Sequence, residues 1–372
     1  MVTKSTRRRL RLGIASYLLD PLEDRRLLSA YACTDLGTLG GIRSQANDIN
    51  NLGQIVGKAF DSAGHEHAFR WQAGAMSDLG TLGGTTSEAV AINSVGQVVG
   101  VAAVGTSAAT DAFIWQGGVM TDLGLGDQSA PSGINDSGQV AVNANSRAMV
   151  WQNGSATDLG ALGSSGASAA DINNAGQIVG TSQTGATGGF GLPVSHAFVW
   201  QNGAMTDVGT PPGTLANYPA SINSTGKIAG SYSIILNTGY GAAVIARPVV
   251  MDGGTMTYLP TPSNATSLAA DINSSGTVVG YNGYGAFIFD HGTLTDLNTL
   301  IPPMPGVRLA GATAINDLGQ IVGWTSGSQS HAFLLTPNIK AIPMNPDSIA
   351  RLSAPRMSLD VLMANGGSSV LS

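Results

Sequence analysis

Short apolar runs alternate with turns rich in small and polar residues along most of this chain. In one such run, Phe113 and Trp115 alternate with Ala112 and Ile114, which gives the period of two that a half-buried β-strand shows. Helices would instead place apolar residues three and four positions apart, and that spacing does not recur here. The pattern therefore predicts an all-β protein made of many short strands.

The strands are organised as a repeat. Each unit has an Ile-Asn pair with Gly three residues after the Asn, then an apolar strand, a strand of the type His-Ala-Phe and a segment of the type Thr-Asp-Leu-Gly. Because Asn caps a tight turn and Gly accepts a positive φ, we predict four strands joined by short turns in each unit. The seven Asn are Asn50, Asn93, Asn135, Asn173, Asn223, Asn273 and Asn316.

The length of the repeat selects the architecture. Successive Ile-Asn pairs lie 38 to 50 residues apart, which fits the ~40–50 residues of a propeller blade and exceeds the ~20–29 of a leucine-rich repeat. Residues 34–37 carry a fourth-strand motif without three strands before it, and residues 331–337 form a third strand without a fourth. We therefore predict a seven-bladed β-propeller of four-stranded blades, closed into a ring by the N-terminal strand.

Charge varies along the chain. Residues 1–30 are basic, residues 31–337 carry 7 basic and 18 acidic side chains, and residues 338–372 lack the repeat. We predict a basic targeting segment over 1–30, disordered or forming a short helix, then the propeller over 31–337 and a flexible tail over 338–372. An acidic propeller repels phosphate backbones, so we expect no nucleic-acid partner. No apolar run reaches the ~20 residues of a transmembrane helix.

The repeat resembles the bacterial HAF family of extracellular repeats. The resemblance covers residues 31–337 and rests on Thr-Asp-Leu-Gly, Ile-Asn-x-x-Gly-Gln and His-Ala-Phe elements that occur together. The His of the last element is present as His67, His196 and His331, whereas Arg147, Arg247 and Gly285 replace it in blades 3, 5 and 6. The resemblance implies an extracellular or envelope setting, and it implies no agreed activity.

A second resemblance precedes the repeats. Residues 22–29, Leu-Glu-Asp-Arg-Arg-Leu-Leu-Ser, are similar to the LEPR-XLL motif near the N-terminus of large bacterial surface proteins. Asp24 stands where that family usually has Pro. Together the two resemblances predict that the protein is exported to the envelope or to the outside of the cell.

The sequence carries no pattern typical of a catalytic site, a metal site or a cofactor site. The three His sit at equivalent places in separate blades, so we expect each to bond a neighbouring backbone group and not a shared metal. We expect the repeated fourth-strand Asp to accept backbone hydrogen bonds that fix the link to the next blade. Cys33 is the single cysteine, which excludes an internal disulfide.

An enzyme remains open as the alternative. A polysaccharide-active glycosidase or lyase could use an Asp-based site on the face with variable loops. A glycosidase needs two carboxyl groups about 5–10 Å apart. Residues 31–337 contain only Glu66 and Glu88 as glutamates, and no Asp cluster outside the repeat is visible. We therefore favour a non-catalytic protein.

Strand alternation predicts two unlike faces. The turns from first to second and from third to fourth strand are short throughout, whereas the second-to-third loops and the blade links vary in length. Aromatic residues gather in the variable set of blades 4 to 6. We predict that Phe190, Tyr218, Tyr240 and Tyr284 bind a glycan or a surface protein, because exposed rings stack on sugars and anchor partners. We expect a monomeric binding or display module without a cofactor or a metal.

Overall fold

The structure is a computed structural model, and it describes residues 29–338 except for 107–108, 164–165, 189–190, 215, 239–240 and 262–264. Over these residues the chain forms 28 strands in seven antiparallel sheets of four. The predicted targeting segment and tail, including the motif at 22–29, lie outside the described residues apart from Ser29, Ala30 and Asn338. Within the described part, no helix has the length and apolarity needed to cross a membrane.

Each sheet is one blade, and the first strands of neighbouring blades contact one another around the axis. Blades 1 and 2 consist of β2 (Gly40–Ile49), β3 (Ile55–Asp61), β4 (Glu66–Gln72), β5 (Ala75–Asp78), β6 (Gly83–Ile92), β7 (Val98–Val104), β8 (Thr110–Gln116) and β9 (Val119–Asp122). Blades 3 and 4 consist of β10 (Ala130–Ile134), β11 (Val140–Ala144), β12 (Arg147–Gln152), β13 (Ser155–Asp158), β14 (Ala167–Ile172), β15 (Ile178–Thr187), β16 (Pro193–Gln201) and β17 (Ala204–Gly209). Blades 5 and 6 consist of β18 (Asn217–Ile222), β19 (Ile228–Thr238), β20 (Gly241–Asp252), β21 (Thr255–Tyr258), β22 (Ser267–Ile272), β23 (Val278–Asn282), β24 (Gly285–Asp290) and β25 (Thr293–Asp296).

Blade 7 closes the ring with strands from both ends of the repeat region. Its strands β26 (Leu309–Ile315), β27 (Ile321–Thr325) and β28 (Ala332–Pro337) are completed by β1 (Tyr31–Asp35). Strand β1 runs antiparallel to β28, with Cys33 opposite Leu335. The predicted seven-bladed propeller and its closure by the N-terminal strand are therefore confirmed.

The hydrophobic core lies between the blades. The third-strand ring of Phe69 is fully buried and clusters with Ile55 of its own blade and with Val322 and Ala332 of blade 7. Other blades repeat this arrangement with the buried rings of Phe113, Phe198, Phe287 and Phe333. Because each blade covers the apolar face of the next, the ring leaves neither sheet face of a blade without a neighbour.

A glycine in six of the seven second strands makes room for this packing, and blade 3 has Val142 at that place, opposite Met149. A Cβ atom on Gly100 would lie 2.0 Å from the carbonyl oxygen of Glu88 and 2.8 Å from the ring of Phe113. Both distances are shorter than van der Waals contact. A side chain at Gly100 would therefore displace the neighbouring strand or the Phe113 ring.

Candidate binding site

Strand direction gives the propeller two faces. The turns from first to second strand and from third to fourth strand lie on one face, which we call the ring face. The second-to-third hairpin loops and the links between blades lie on the other, the loop face. The two faces differ in how much their seven repeats resemble one another.

A closed circle of hydrogen bonds defines the ring face. The side-chain Nδ2 of each repeat Asn donates to the main-chain oxygen of the Asn in the next blade, over 2.9–3.3 Å, and Asn316 returns to Asn50. Each Oδ1 also accepts the backbone N–H four residues later, as Asn50 does from Gln54. Every one of these amides thus bonds its own turn and the next blade, so their role is structural.

Three first strands carry an aspartate two residues before the repeat Asn. Asp48 accepts hydrogen bonds from the N–H groups of Ile49 and, in the next blade, Ile92. Asp171 and Asp271 bridge their own neighbouring blades in the same way. Sequence reasoning missed them, although the residue two positions before the repeat Asn is Asp in blades 1, 4 and 6 and Ala, Gly or Ser in the other blades.

Burial raises the pKa of these carboxyl groups. The pKa of Asp48 and of Asp171 rises to about 7, chiefly because the protein surrounds them, while backbone hydrogen bonds oppose the rise and the charge of Asp271 adds to it. The pKa of Asp271 is raised by burial as well. No three His, Cys, Asp or Glu side chains of the described ranges are placed to hold a metal ion. The aspartates therefore act as ties between blades.

The repeated His pairs with the repeated Asp. His67 Nδ1 lies 2.7 Å from a carboxylate oxygen of Asp78 on the fourth strand, and blades 4 and 7 repeat this pair. The expectation that these His bond a backbone group is wrong, because the strand register brings each His to a carboxylate, which is the stronger acceptor. The expectation for Asp is confirmed, since Asp78 Oδ1 accepts the N–H of Gly80 and its five equivalents bond likewise.

A cleft opens on the loop face over blades 3 to 5. It has a volume of about 850 Å³. Blade 3 turns from β11 to β12 through only Asn145 and Ser146, both at positive φ of 52° and 60°. The corresponding strands of blade 4 extend to Thr187 and resume at Pro193. The cleft is therefore the space above the short β11–β12 hairpin of blade 3, beside the longer second and third strands of blades 4 and 5.

The walls of the cleft are polar and carry little charge. Amide and hydroxyl side chains come from Gln128, Ser168 and Gln183, among others, and the charged groups of the lining are Asp127 and Arg147. Arg147 is paired with Asp158. Backbone–side-chain bonds hold the floor, where Asn143 binds both the N–H and the carbonyl oxygen of Ala169. Such a surface suits a ligand rich in hydroxyl and amide groups.

The structure places one predicted aromatic residue in this cleft. Tyr218 lines it beside Pro219 and is 49% exposed. Tyr284 is 59% exposed on the β23–β24 turn of the same face, in a separate hollow of about 210 Å³. Phe190 and Tyr240 lie outside the described residues. The structure thus brings Tyr218, and not Tyr284, together with the polar lining.

Two other tyrosines of this region are packed. Tyr232 meets Tyr258 edge to face with 5.3 Å between ring centroids, and Tyr281 meets Trp324 at 5.2 Å. The first contact lies within blade 5, and the second joins blade 6 to blade 7. Sequence reasoning did not find the cleft itself, whose signal was the absence of residues from the β11–β12 hairpin.

Comparison with known proteins supports the fold and stops there. No family model and no curated protein matches the chain. The β-propeller domain of the Trilobed protease from Pyrococcus furiosus is similar over 78% of this chain and 93% of its own, with 11% identity and a TM-score of 0.52. The protein YCF48, solved with a D1 peptide, is similar over 84% of this chain and 97% of its own, with 12% identity and a TM-score of 0.51.

These similarities and the closed ring of seven four-stranded sheets define the class of protein, a seven-bladed β-propeller. The Pyrococcus domain is described as having an open velcro topology. In this chain, by contrast, β1 and β28 pair along their length.

Proposed function

We propose that this propeller is a non-catalytic binding module of the cell envelope or the extracellular surface, and that it holds a glycan chain in the loop-face cleft. The observation that carries the proposal is the cleft itself, concave and lined by amides and hydroxyls with one exposed ring. Tyr218 offers an apolar face on which a sugar can stack, while Gln128, Ser168 and Gln183 offer donors and acceptors for hydroxyl groups.

The charge of the cleft supports binding over hydrolysis. Asp127 is the one carboxylate among its lining residues, whereas a glycosidase places two carboxyl groups about 5–10 Å apart across the bond that it cleaves. The envelope setting rests on the resemblance to HAF repeats over 31–337 and to LEPR-XLL over 22–29. Fractionation of cells that express the native gene tests this location, and recovery only from the cytosol would contradict it.

Replacing Tyr218 tests the cleft. We expect Tyr218→Ala to weaken retention on immobilised envelope polysaccharide at least about tenfold, since a stacked ring is commonly a dominant contact. The melting temperature should stay unchanged, because half of the ring is exposed. Tyr284→Ala is the matched control, an exposed Tyr on the same face outside the cleft, and should retain binding.

A glycan array and a peptide library provide the two sets of ligands. Binding to glycans that is lost in Tyr218→Ala supports the proposal. Binding to peptides alone would replace the glycan by a protein partner, an arrangement of which the peptide-bound YCF48 propeller is an example. Full retention of glycans by a folded Tyr218→Ala protein would remove the cleft as the site.

A further inference from the structure

Six blades carry Asp at the same place in the fourth strand, and five of these carboxylates have a basic partner among the described residues. The partner is a His of the third strand in blades 1, 4 and 7, an Arg of the third strand in blade 3, and an Arg from the following link in blade 6. The five pairs are His67–Asp78, His196–Asp207, His331–Asp35, Arg147–Asp158 and Arg308–Asp296.

Blade 2 departs from this rule. Asp111 occupies the place of His67, because Phe113 pairs with Asp122 in the same register as Phe69 pairs with Asp78. Two carboxyl groups therefore face each other where the other blades place an acid and a base. No ion pair within the described residues includes Asp111 or Asp122.

One oxygen of the Asp111 carboxyl group also lacks a hydrogen-bond partner among the described residues. Asp111 is only 8% exposed, and its Oδ1 is buried and bonded to none of the described residues. Burial raises the pKa of Asp111, and the charges of Asp122 and Asp127 raise it further. A buried acceptor without a donor costs about 1–3 kcal/mol, so this site is incomplete as the protein alone builds it.

The incomplete pair lies next to the cleft. Asp127, whose charge acts on Asp111, belongs to the link between blades 2 and 3 and lines the cleft. The neighbouring Gln128 also lines the cleft, and its N–H bonds the carbonyl oxygen of Thr110, the residue before Asp111. Asp111 therefore lies beside the blade 2 end of the cleft, next to residues that line it.

We propose that Asp111 and Asp122 form a subsite for a nitrogen cation, the ammonium group of an amino sugar in the glycan that the cleft holds. The subsite rests on the proposed function for its ligand. The other blades show the chemistry that this position accepts, since imidazole and guanidinium N–H groups fill it there. An ammonium group has three donors, enough to reach both carboxylates. A metal ion fits less well, because no three ligating side chains of the described part converge on one point.

Two hexasaccharides that differ only in charge test the subsite. Glucosamine hexamer carries protonated amines in mildly acidic buffer, and N-acetylglucosamine hexamer carries none. We expect isothermal titration at physiological salt to show that the native protein binds the glucosamine hexamer at least tenfold more tightly. Asp111→Asn should reduce this preference to less than threefold.

Asp111→His sharpens the test by building the arrangement of blades 1, 4 and 7 into blade 2. It should remove the preference for the amine and raise the melting temperature of the free protein by a few degrees, because the new His gives Asp122 a partner. Asp252→Asn is the control for net charge, since Asp252 is exposed and pairs with Lys227 on the ring face. It should keep the preference.

The outcomes separate this proposal from the proposed function. Equal binding of both hexamers, each weakened by Tyr218→Ala, would overturn the cation subsite and leave the glycan cleft standing. If neither hexamer and no arrayed glycan binds, the result contradicts both the cation subsite and the proposed glycan-binding function. If calcium alone raises the melting temperature of the native protein and not that of Asp111→Asn, calcium is the occupant and the amine is overturned.

Discussion

The ring face and the loop face are built by the same seven repeats and behave differently. On the ring face every repeat supplies the same Asn, the same tight turn and the same bond to the next blade. On the loop face the strands differ in length from blade to blade. In blade 3, β11 has five residues and β12 has six, whereas in blade 5, β19 has eleven and β20 has twelve. Repetition marks what holds the ring together. Departure from it marks where a ligand can be recognised.

The largest expected effect comes from removing the strand that closes the ring. Deleting residues 31–37 exposes the edge of β28 and removes Leu36 from the core between blades 7 and 1. We expect a loss of about 5 kcal/mol or more, and therefore a fall in melting temperature of about 10 °C or more, or aggregation. Differential scanning calorimetry measures it.

The control for this deletion is removal of residues 339–372, which leaves every described strand intact. It should shift the melting temperature by less than about 2 °C. A protein that begins at Thr38, remains soluble and melts like the full chain would show that β1 does not close the propeller.

The second effect breaks one link of the ring face. Asn173→Ala removes bonds from Nδ2 to Gln177 and to Asn223, and leaves two backbone N–H groups without their acceptor. With several buried groups unsatisfied, we expect a loss of about 3 kcal/mol in the free energy of unfolding by urea.

Substitution of exposed residues on either face should change the free energy of unfolding much less than Asn173→Ala does. Ser224→Ala, on the ring face, and Tyr284→Ala, on the loop face, replace exposed side chains and should each change the free energy of unfolding by less than about 0.5 kcal/mol. A loss for Asn173→Ala no larger than for these two would show that the amide circle contributes little.

The smallest effect concerns pH and the buried aspartates that tie neighbouring blades together. Asp in an unfolded chain ionises near pH 4, whereas burial holds the pKa of Asp48 and Asp171 at about 7 in the folded protein. Between these values the unfolded state has released protons that the folded state keeps, so the contribution of these two carboxyl groups to stability is full below about pH 4 and is lost as pH rises to about 7. We expect a fall of about 2 kcal/mol over this range.

Asp171→Asn should flatten this dependence on pH, since the amide does not titrate. Asp136→Asn is the control, an exposed acid of the ring face that bonds Asn174. Urea unfolding at several pH values between 4 and 8 measures the slope. An equal slope in the native protein and in Asp171→Asn would contradict the role of this carboxyl group.

The fold was predictable because its signals are local and repeated. The spacing of Asn50 and its six equivalents gave the blade length, and the unmatched motifs at residues 34–37 and 331–337 gave the closure. The partners of His67 and Asp48 were not predictable, because they lie on other strands or other blades. Which strand lies opposite which, to within one residue, decides whether a His meets a carboxylate or a backbone group.

The candidate site was predictable only in part. Long hairpins and aromatic residues predicted a binding site in blades 4 to 6, and Tyr218 does line the cleft. The cleft depends equally on the shortness of the β11–β12 hairpin in blade 3, and a short hairpin adds no residue type to the sequence that would indicate a site. Asp111 precedes Ala112 and Phe113 in the place of the repeat His. That it faces a second carboxyl group follows only from the position of Asp122 on the neighbouring strand.

The closure by β1 also has a consequence for the time course of biosynthesis. Asp35 and its partner His331 are 296 residues apart in the chain, so at a translation rate of about 5–20 residues per second β1 waits roughly 15–60 s for its neighbour to be made. During that interval β1 is a strand with two unsatisfied edges. A chaperone that covers short extended segments would therefore meet this protein first at its N-terminal strand, and the last blade to be translated would be the one that releases it.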